Sequence, residues 1–358
     1  MYNGRLEMPQ NYVEVKGIIT ALRPIAHGEP PNEKPKYVEQ NGERILKKPK
    51  RDNTRRLRRV TVCVHGSFVE VPIVSSNHIT HLFRVLMVRD LLGRAGLDED
   101  RLTELGEKHK DLYYLLFSGG HLEKVENGAK SSVSKLKALF PTVESVVDAF
   151  YPVGLFGGAV TWFGNVILES RVGVDHLWPV VSEVMELFGY GPDTLAEFGV
   201  WGVLPSLVHL QQVKPLRFVK TDEVAVRAHL HDLPAESPDG EGLAEAGEGD
   251  AEDDDRRNIL RVEYLPAGMR LLHTLYVEVG TEEETALALS ALKYLTEDLL
   301  ATHPFLGGLV KRGFGLVSAK YAFPDRWGSR EVKKEIYLEY LEKAKGRVAD
   351  ALARLLGQ

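Results

Sequence analysis

The chain has 358 residues, of which 44% are hydrophobic and 27% charged, with one cysteine, Cys63, and a formal net charge of −6. This is an ordinary globular composition, long enough to bury a sizeable core. A lone cysteine excludes an internal disulfide framework and fits a reducing cytoplasm; no apolar run approaches the roughly 18 residues that span a bilayer, so no membrane partner is expected. The opening MYNGRLEMPQNY has no apolar stretch behind its early arginine, and no signal peptide is expected. The acidic average conceals a segregation of charge. Arg44, Lys47, Lys48, Lys50, Arg51, Arg55, Arg56, Arg58 and Arg59 face only Asp52 as a counter-charge, whereas Glu236 to Asp255 holds ten carboxylates and no base. Without the acidic tract the rest of the chain is net positive, and such sign asymmetry points to a polyanionic partner.

In chain order, Val13, Val15, Ile18 and Ile19 predict a strand over Tyr12 to Leu22, ending at Arg23-Pro24 in the polar, proline-marked loop IAHGEPPNEKPK. That loop runs on into the basic stretch. Alternating Val60, Val62 and Val64 predict a second strand over Arg59 to Val64, a turn at His65-Gly66-Ser67 and a third strand to Val74, in a sheet with one face in the core and the other free. Ser75-Ser76-Asn77 is a helix start, and Ile79, Leu82, Phe83, Leu86, Met87 and Leu91 recur at helical spacing behind it. The middle is less regular: a hydrophobic run over Asp111 to Phe117, an amphipathic segment over Val143 to Phe150, a strand over Thr161 to Glu169, and mixed signals from Ser182 to His209. Ala235 to Asp255 is too poor in apolar side chains to offset its ordering entropy and is expected to be a disordered surface loop. Beyond it follow a strand (Asn258 to Tyr264), a Pro266-Ala267-Gly268 turn, a strand (Arg270 to Val279), a helix opened by Thr281-Glu282-Glu283-Glu284 and ended by His303-Pro304, a glycine-rich stretch (Gly307 to Gly315), a strand (Leu316 to Ala322) and a charged helix over Arg330 to Leu356. Each end thus offers a β-α-β unit. The expected fold class is α+β, a single domain over 1–358 with an RRM- or ferredoxin-like core (one antiparallel sheet with helices on one face), a basic loop insertion at 28–58, an acidic loop at 234–257 and a C-terminal helix at 329–358.

The glycine-rich stretch carries the most chemistry. Glycine allows positive φ and close backbone approach, so its amides can reach phosphate oxygens; Lys311 and Arg312 add charge there, and Phe314 is placed to stack on a base. It is neither a Walker loop nor a dinucleotide fingerprint, since Lys311 lacks the glycine spacing and the following Ser or Thr, and the stretch leads from helix to strand. Alone, it reads more readily as a tight helix-to-strand turn.

The sequence GGLVKRGFGLVSA between helix and strand resembles the C-terminal glycine-rich signature of the RAMP proteins of CRISPR systems. ITALRPIAHG is similar to the first strand and loop of that superfamily, VEVPIVSSNHITHLFRVLMVRDLL to its arginine-bearing helix, LLFSGG and GLFGG to short glycine motifs of effector backbone subunits, and RVEYLPAGMRLLHTLYVEVGTEEETALALSALKYL to their strand-turn-strand-helix. The arginine-glycine pair common in that helix is replaced by His81-Leu82-Phe83-Arg84. The likeness covers most of the chain outside the insertions and is nearest to the backbone subunit of type IV complexes.

This resemblance implies a crRNA groove lined by Arg23 and His27 in the first loop, Asn77, His78 and Arg84 in the helix, and Lys311, Arg312 and Phe314 in the glycine-rich stretch, extended by Arg51, Arg55, Arg56, Arg58 and Arg59. It implies other effector subunits as partners, head-to-tail self-association into a filament, and a target nucleic acid, DNA in preference to RNA. No catalytic residue, cofactor or metal is implied. Type III relatives cut RNA with an aspartate near the first loop, where this chain has only Glu29 and Glu33. His27 is the one candidate under the alternative of a guide-processing endoribonuclease; a stand-alone RNA-binding module is the other alternative. The pairs His78/His81 and His229/His231 have zinc-like spacing, but no cysteine or carboxylate pair stands in register beside them.

Overall fold

The computed structural model describes residues 11–29, 36–40, 43–47, 54–120, 130–164, 166–219 and 259–357; Arg51 and the acidic loop at 234–257 lie outside the described residues. Strand β1 (Tyr12–Ala21) alternates as its valines and isoleucines dictate, turning Val15, Ile19 and Ala21 to the core. After the turn of the β2 (Arg59–Val64) and β3 (Ser67–Pro72) hairpin comes helix α1 (Ser76–Arg94), then α2 (Glu99–Lys108), α3 (Lys110–Ser118), α4 (Lys130–Leu139), α5 (Val143–Ala149) and α6 (Tyr151–Phe156). Strands β4 (Val172–Val174) and β5 (Trp178–Pro179), β6 (Arg270–Glu278), helix α7 (Glu282–Tyr294), strand β7 (Val317–Ala322) and helix α8 (Lys334–Leu356) complete the frame.

The central sheet runs in the order β4-β6-β1-β7, every neighbour antiparallel, with β5 extending the β6 edge next to β4. Register places Val15, Gly17 and Ile19 opposite Leu275, His273 and Leu271, and Gly17 and Ile19 opposite Tyr321 and Ala319. This face is buried against helices; Phe83 of α1 sits edge-on to His273 with ring centroids 6.0 Å apart. His273 Nδ1 lies 2.6 Å from the Tyr321 hydroxyl. Burial pushes the imidazole down to about 3, so it is neutral.

Helix α7 begins with the capping box read from the sequence, Thr281 Oγ1 accepting from the Glu284 amide and Glu284 Oε2 from the Thr281 amide, both at 3.2 Å. It continues through a π-turn at Leu295–Leu299 to Leu300–Thr302. Helix α8 packs Tyr337, Leu341, Val348 and Leu352 inward, and the buried His109 ring meets the Leu355 carbonyl at its far end, at 3.0 Å.

Four expectations change. The β2–β3 hairpin is a separate two-stranded ribbon, its turn made by His65 (φ 50°) and Gly66 (φ 76°), because β6 and β7 already occupy both edges of β1. The strand expected over Thr161 to Glu169 is shorter: Thr161–Phe163 is a tight turn, and Val166–Leu168 pairs across it with Gly158–Val160. The loop expected after His27 contains the paired strands Lys36–Gln40 and Glu43–Lys47. Ser182 to His209, unreadable in sequence, holds the short helices Ser182–Leu187 and Pro192–Glu197 and the start of Leu207–Gln211. A second sheet orders Leu216–Val219, Ile259–Val262, Thr54–Leu57 and Gly28–Glu29, so the ends of the basic and the acidic insertions spring from adjacent strands.

A Cβ at Gly17 would stand 2.4 Å from the Tyr321 ring. Gly17→Ala is therefore expected to cost about 1–3 kcal/mol through overpacking, read as a lower urea midpoint. Combining it with Tyr321→Leu should recover part of the loss. An unchanged midpoint would mean the ring does not hold this position.

Candidate nucleic-acid interface

Residues Leu22 to Gly28 leave β1 and run between the glycine-rich stretch and the strand Ile259–Val262. On one side the Leu316 carbonyl accepts from the Leu22 and Arg23 amides at 2.8 and 3.0 Å, the Pro24 carbonyl from Gly315 at 2.8 Å and the Ala26 carbonyl from Gly308 at 2.7 Å; on the other, Ile25 and Leu265 exchange amide hydrogen bonds at 2.9 Å each. Glycine is required where the backbones touch. Gly307 (φ 82°) and Gly315 (φ 83°) have positive φ, and a Cβ on either would lie 2.5 Å from the Ala26 carbonyl oxygen or 2.1 Å from that of Leu306.

This path delivers His27 to the start of α1. Its Nε2 lies 3.0 Å from Ser75 Oγ, and its ring centroid is 4.7 Å from that of His78. His78 Nε2 accepts the Gly307 amide at 3.0 Å, which leaves the ring proton on Nδ1. Burial, then the neighbouring His78 and Arg58, push His27 down to about 4; burial, then His81, lower His78. Both rings are neutral at pH 7. Ser75 is the residue before α1, yet its hydroxyl turns to His27, and the helix N-terminus is met instead by His176, whose Nδ1 accepts the Ser76 amide at 2.9 Å. Glu263 joins from the second sheet, its Oε2 accepting from the Leu57 amide at 3.0 Å and Arg59 Nη2 at 2.9 Å. His27, Gly28, His78, Glu263, Gly307 and Gly308, with Ala26, line a cavity of about 250 Å³.

The expected residues divide by this geometry. Arg23, on the loop before His27, and Asn77, next to His78, are exposed, and the Arg58 amide donates to the His27 carbonyl at 3.2 Å. Lys311 and Arg312 are exposed on the single turn Val310–Arg312, held between Leu309 (φ 62°) and Gly313 (φ 80°). Arg56 and Arg59 are exposed on the adjoining strands; Arg55 lies on the same strand as Arg56. Two residues lie elsewhere. Arg84 is 6% exposed and donates to the carbonyls of Phe156 at 2.7 Å, Gly157 at 2.9 Å and Leu115 at 3.4 Å, tying α1 to the ends of α3 and α6. Burial lowers its pKa to about 10, which leaves it charged at neutral pH. Phe314 is 4% exposed, packed with Ala26 and Val262, so it anchors the loop and offers no face to a base.

Glu263, Ser75 and His176 were not read from sequence as parts of this site. The exposed phase of the RVEY alternation marks Glu263 as pointing away from the core, but only the pairing of Ile259–Val262 with Thr54–Leu57 brings it to the cavity. Among the described residues, no group of three or more His, Cys, Asp or Glu could hold a metal ion, and no helix is long and apolar enough to cross a membrane.

No family model matches the chain, and no curated protein matches it. Among solved structures it is similar to a chain of a type IV-B CRISPR complex, with a TM-score of 0.43 and 16% identity over 88% of this chain and 93% of that one. It is also similar to Csc2 of Thermofilum pendens, with a TM-score of 0.34 and 14% identity over 98% of this chain and 82% of that one.

Arg84→Met is expected to leave buried carbonyls without donors and to lower stability by about 3 kcal/mol or more, measured by urea unfolding, with Arg84→Lys intermediate. A neutral result for Arg84→Met would remove its structural role. Stability should also respond to acid. The unfolded chain protonates His27 near 6.5 whereas the folded chain does so only near 4, so its contribution is present at neutral pH and is lost as pH falls through that window. His27→Gln should flatten the loss of stability between those two values; an unaltered slope would show that His27 is not protected from protons in the fold.

Proposed function

We propose that this chain is a non-catalytic subunit that binds a CRISPR guide RNA and assembles in repeated copies along it, head to tail, presenting it for pairing with a target nucleic acid. The observation that carries this reading is the convergence of three segments far apart in sequence. The loop after β1, the start of α1 and the glycine-rich turn meet at one cleft, and Arg23, Lys311 and Arg312 are exposed on two of those segments. Single strands are held mainly through phosphate contacts, and exposed cations of this kind serve that purpose. The strand order β4-β6-β1-β7, with connections passing through α1 and α7, supports a ferredoxin-like core, and the basic strand Thr54–Leu57 extends the charged surface from the same edge. On this reading the whole chain is one domain, and the two insertions are elaborations of its second sheet. A heterologous contact between copies that does not close into a ring grows into a filament.

The His27–His78 pair is the one arrangement in the cleft that favours the endoribonuclease alternative. General acid–base cleavage needs one group protonated and one free. Here His78 Nε2 is occupied by the Gly307 amide and His27 is held unprotonated, so neither is poised as an acid. Repeat RNA incubated with the protein is expected to stay intact. Cleavage that disappears in His27→Ala would replace the binding reading with the nuclease.

Purified without nuclease treatment, the protein is expected to elute as a ribonucleoprotein larger than a monomer and to collapse on ribonuclease addition. Lys311→Ala with Arg312→Ala should weaken guide RNA binding and reduce the slope of log affinity against log salt by about 1.4, the equivalent of two single-strand phosphate contacts. A monomer that carries no RNA and binds none when offered would overturn the proposal.

A further inference from the structure

The glycine amides of the glycine-rich stretch are not free to cradle a phosphate. Gly307 donates to His78 Nε2, Gly308 to the Ala26 carbonyl, Gly313 to that of Val310 and Gly315 to that of Pro24. The cavity these contacts enclose is lined by no lysine or arginine. Its polar side chains are two imidazoles and the carboxylate of Glu263, whose Oε2 is taken by the Leu57 amide and Arg59 while, among the described residues, Oε1 has no donor. With Arg59 pairing Oε2, the cavity lining holds no uncompensated cation to attract a phosphate, and its carboxylate acceptor favours a ligand that brings hydrogen to it. At about 250 Å³ the cavity is smaller than a drug-sized site and suited to a single ribose or base. Arg23, Lys311 and Arg312 stand outside it and are exposed, Arg23 on the loop that leads to His27 and the other two on the turn that follows Gly308.

We propose that the cavity is a pocket for an uncharged hydrogen-bond donor of a bound RNA nucleotide, a ribose 2′-hydroxyl or a base amine, with Glu263 as the acceptor and the flanking phosphates left to the exposed cations. This inference rests on the RNA-binding reading and assigns that site a division of labour. Arg23, Lys311 and Arg312 supply affinity that depends on salt. Glu263 supplies discrimination that does not, because a hydrogen bond from an uncharged ligand releases no counterions. His78 Nδ1–H and the His27 ring orient the nucleotide, held in place by Gly307 and Ser75.

The test uses the full-length protein and one single-stranded RNA free of cytidine, so that its only base amines are on purines, in three forms: unmodified, with every ribose 2′-fluorinated, and with guanosine and adenosine replaced by inosine and purine riboside. The 2′-fluoro form keeps the sugar pucker and removes the hydroxyl donor; the last form removes the purine amine donors. One of the two modified RNAs is expected to bind about three- to tenfold more weakly than the unmodified strand, the size of one lost hydrogen bond, and which one identifies the source of the donor. Glu263→Gln, checked for an unchanged unfolding midpoint, should bring the three affinities closer together while leaving the salt slope intact. The Lys311→Ala, Arg312→Ala protein should weaken all three equally. If the wild-type protein binds all three RNAs alike and tightly, the pocket assignment is wrong while RNA binding stands. If it binds none, both fall.

Discussion

The carbonyl oxygens of Pro24 and Ala26 accept the amides of Gly315 and Gly308 at 2.8 and 2.7 Å, and that close approach of two irregular backbones organises the cleft. A side chain on Gly307 would fill the space of the Ala26 carbonyl, and one on Gly315 that of the Leu306 carbonyl. Once the approach is made, His27 is delivered to Ser75, the Gly307 amide is turned to His78, and Phe314 is buried behind the loop against Ala26 and Val262. The glycines serve the packing of protein on protein. What they provide to a ligand is a shaped wall, and the charged residues around them are carried on a turn that projects outward.

Charge is sorted by depth. Neutral imidazoles and one carboxylate paired to Arg59 line the cavity, and Arg23, Lys311 and Arg312 are exposed to solvent, as the cost of burying unpaired charge requires. The exception proves instructive: Arg84 is buried and charged, and it is tolerated because three main-chain carbonyls receive its guanidinium. Two of them belong to the end of α6, where the helix dipole is negative. Through Arg84 the position of α1, and hence of Ser75 and His78 at its start, is tied to α3 and α6 on the far side of the core.

The second sheet gives the charge segregation of the chain a structural frame. The strand at the end of the basic insertion pairs with the strand that follows the acidic one, Arg261 opposite Thr54 and Val262 opposite Arg55. Two segments of opposite sign, nearly two hundred residues apart in places, are thereby rooted side by side next to the cleft. The same pairing brings Glu263 to the cavity, so one non-local register sets both features.

Much was determined by the sequence alone, wherever the determining forces are local. Apolar alternation set β1, β6 and β7; periodic leucines with capping residues set α1 and α7; the positive-φ requirement marked the glycine-rich connection; and the clustering of opposite charges was plain. The three segments that meet at the cleft were each visible as motifs. Tertiary structure decided what their side chains do. Arg84 and Phe314 have the same residue types as surface RNA contacts, and only the packing of α1 against α3 and α6, and of Phe314 against Val262, removes them from the surface. Glu263, His176 and the Ser75 hydroxyl entered the site through contacts spanning 48 to 206 residues. Local pattern carries no information about such pairings, because they form only when separate strands and helices have already found their register.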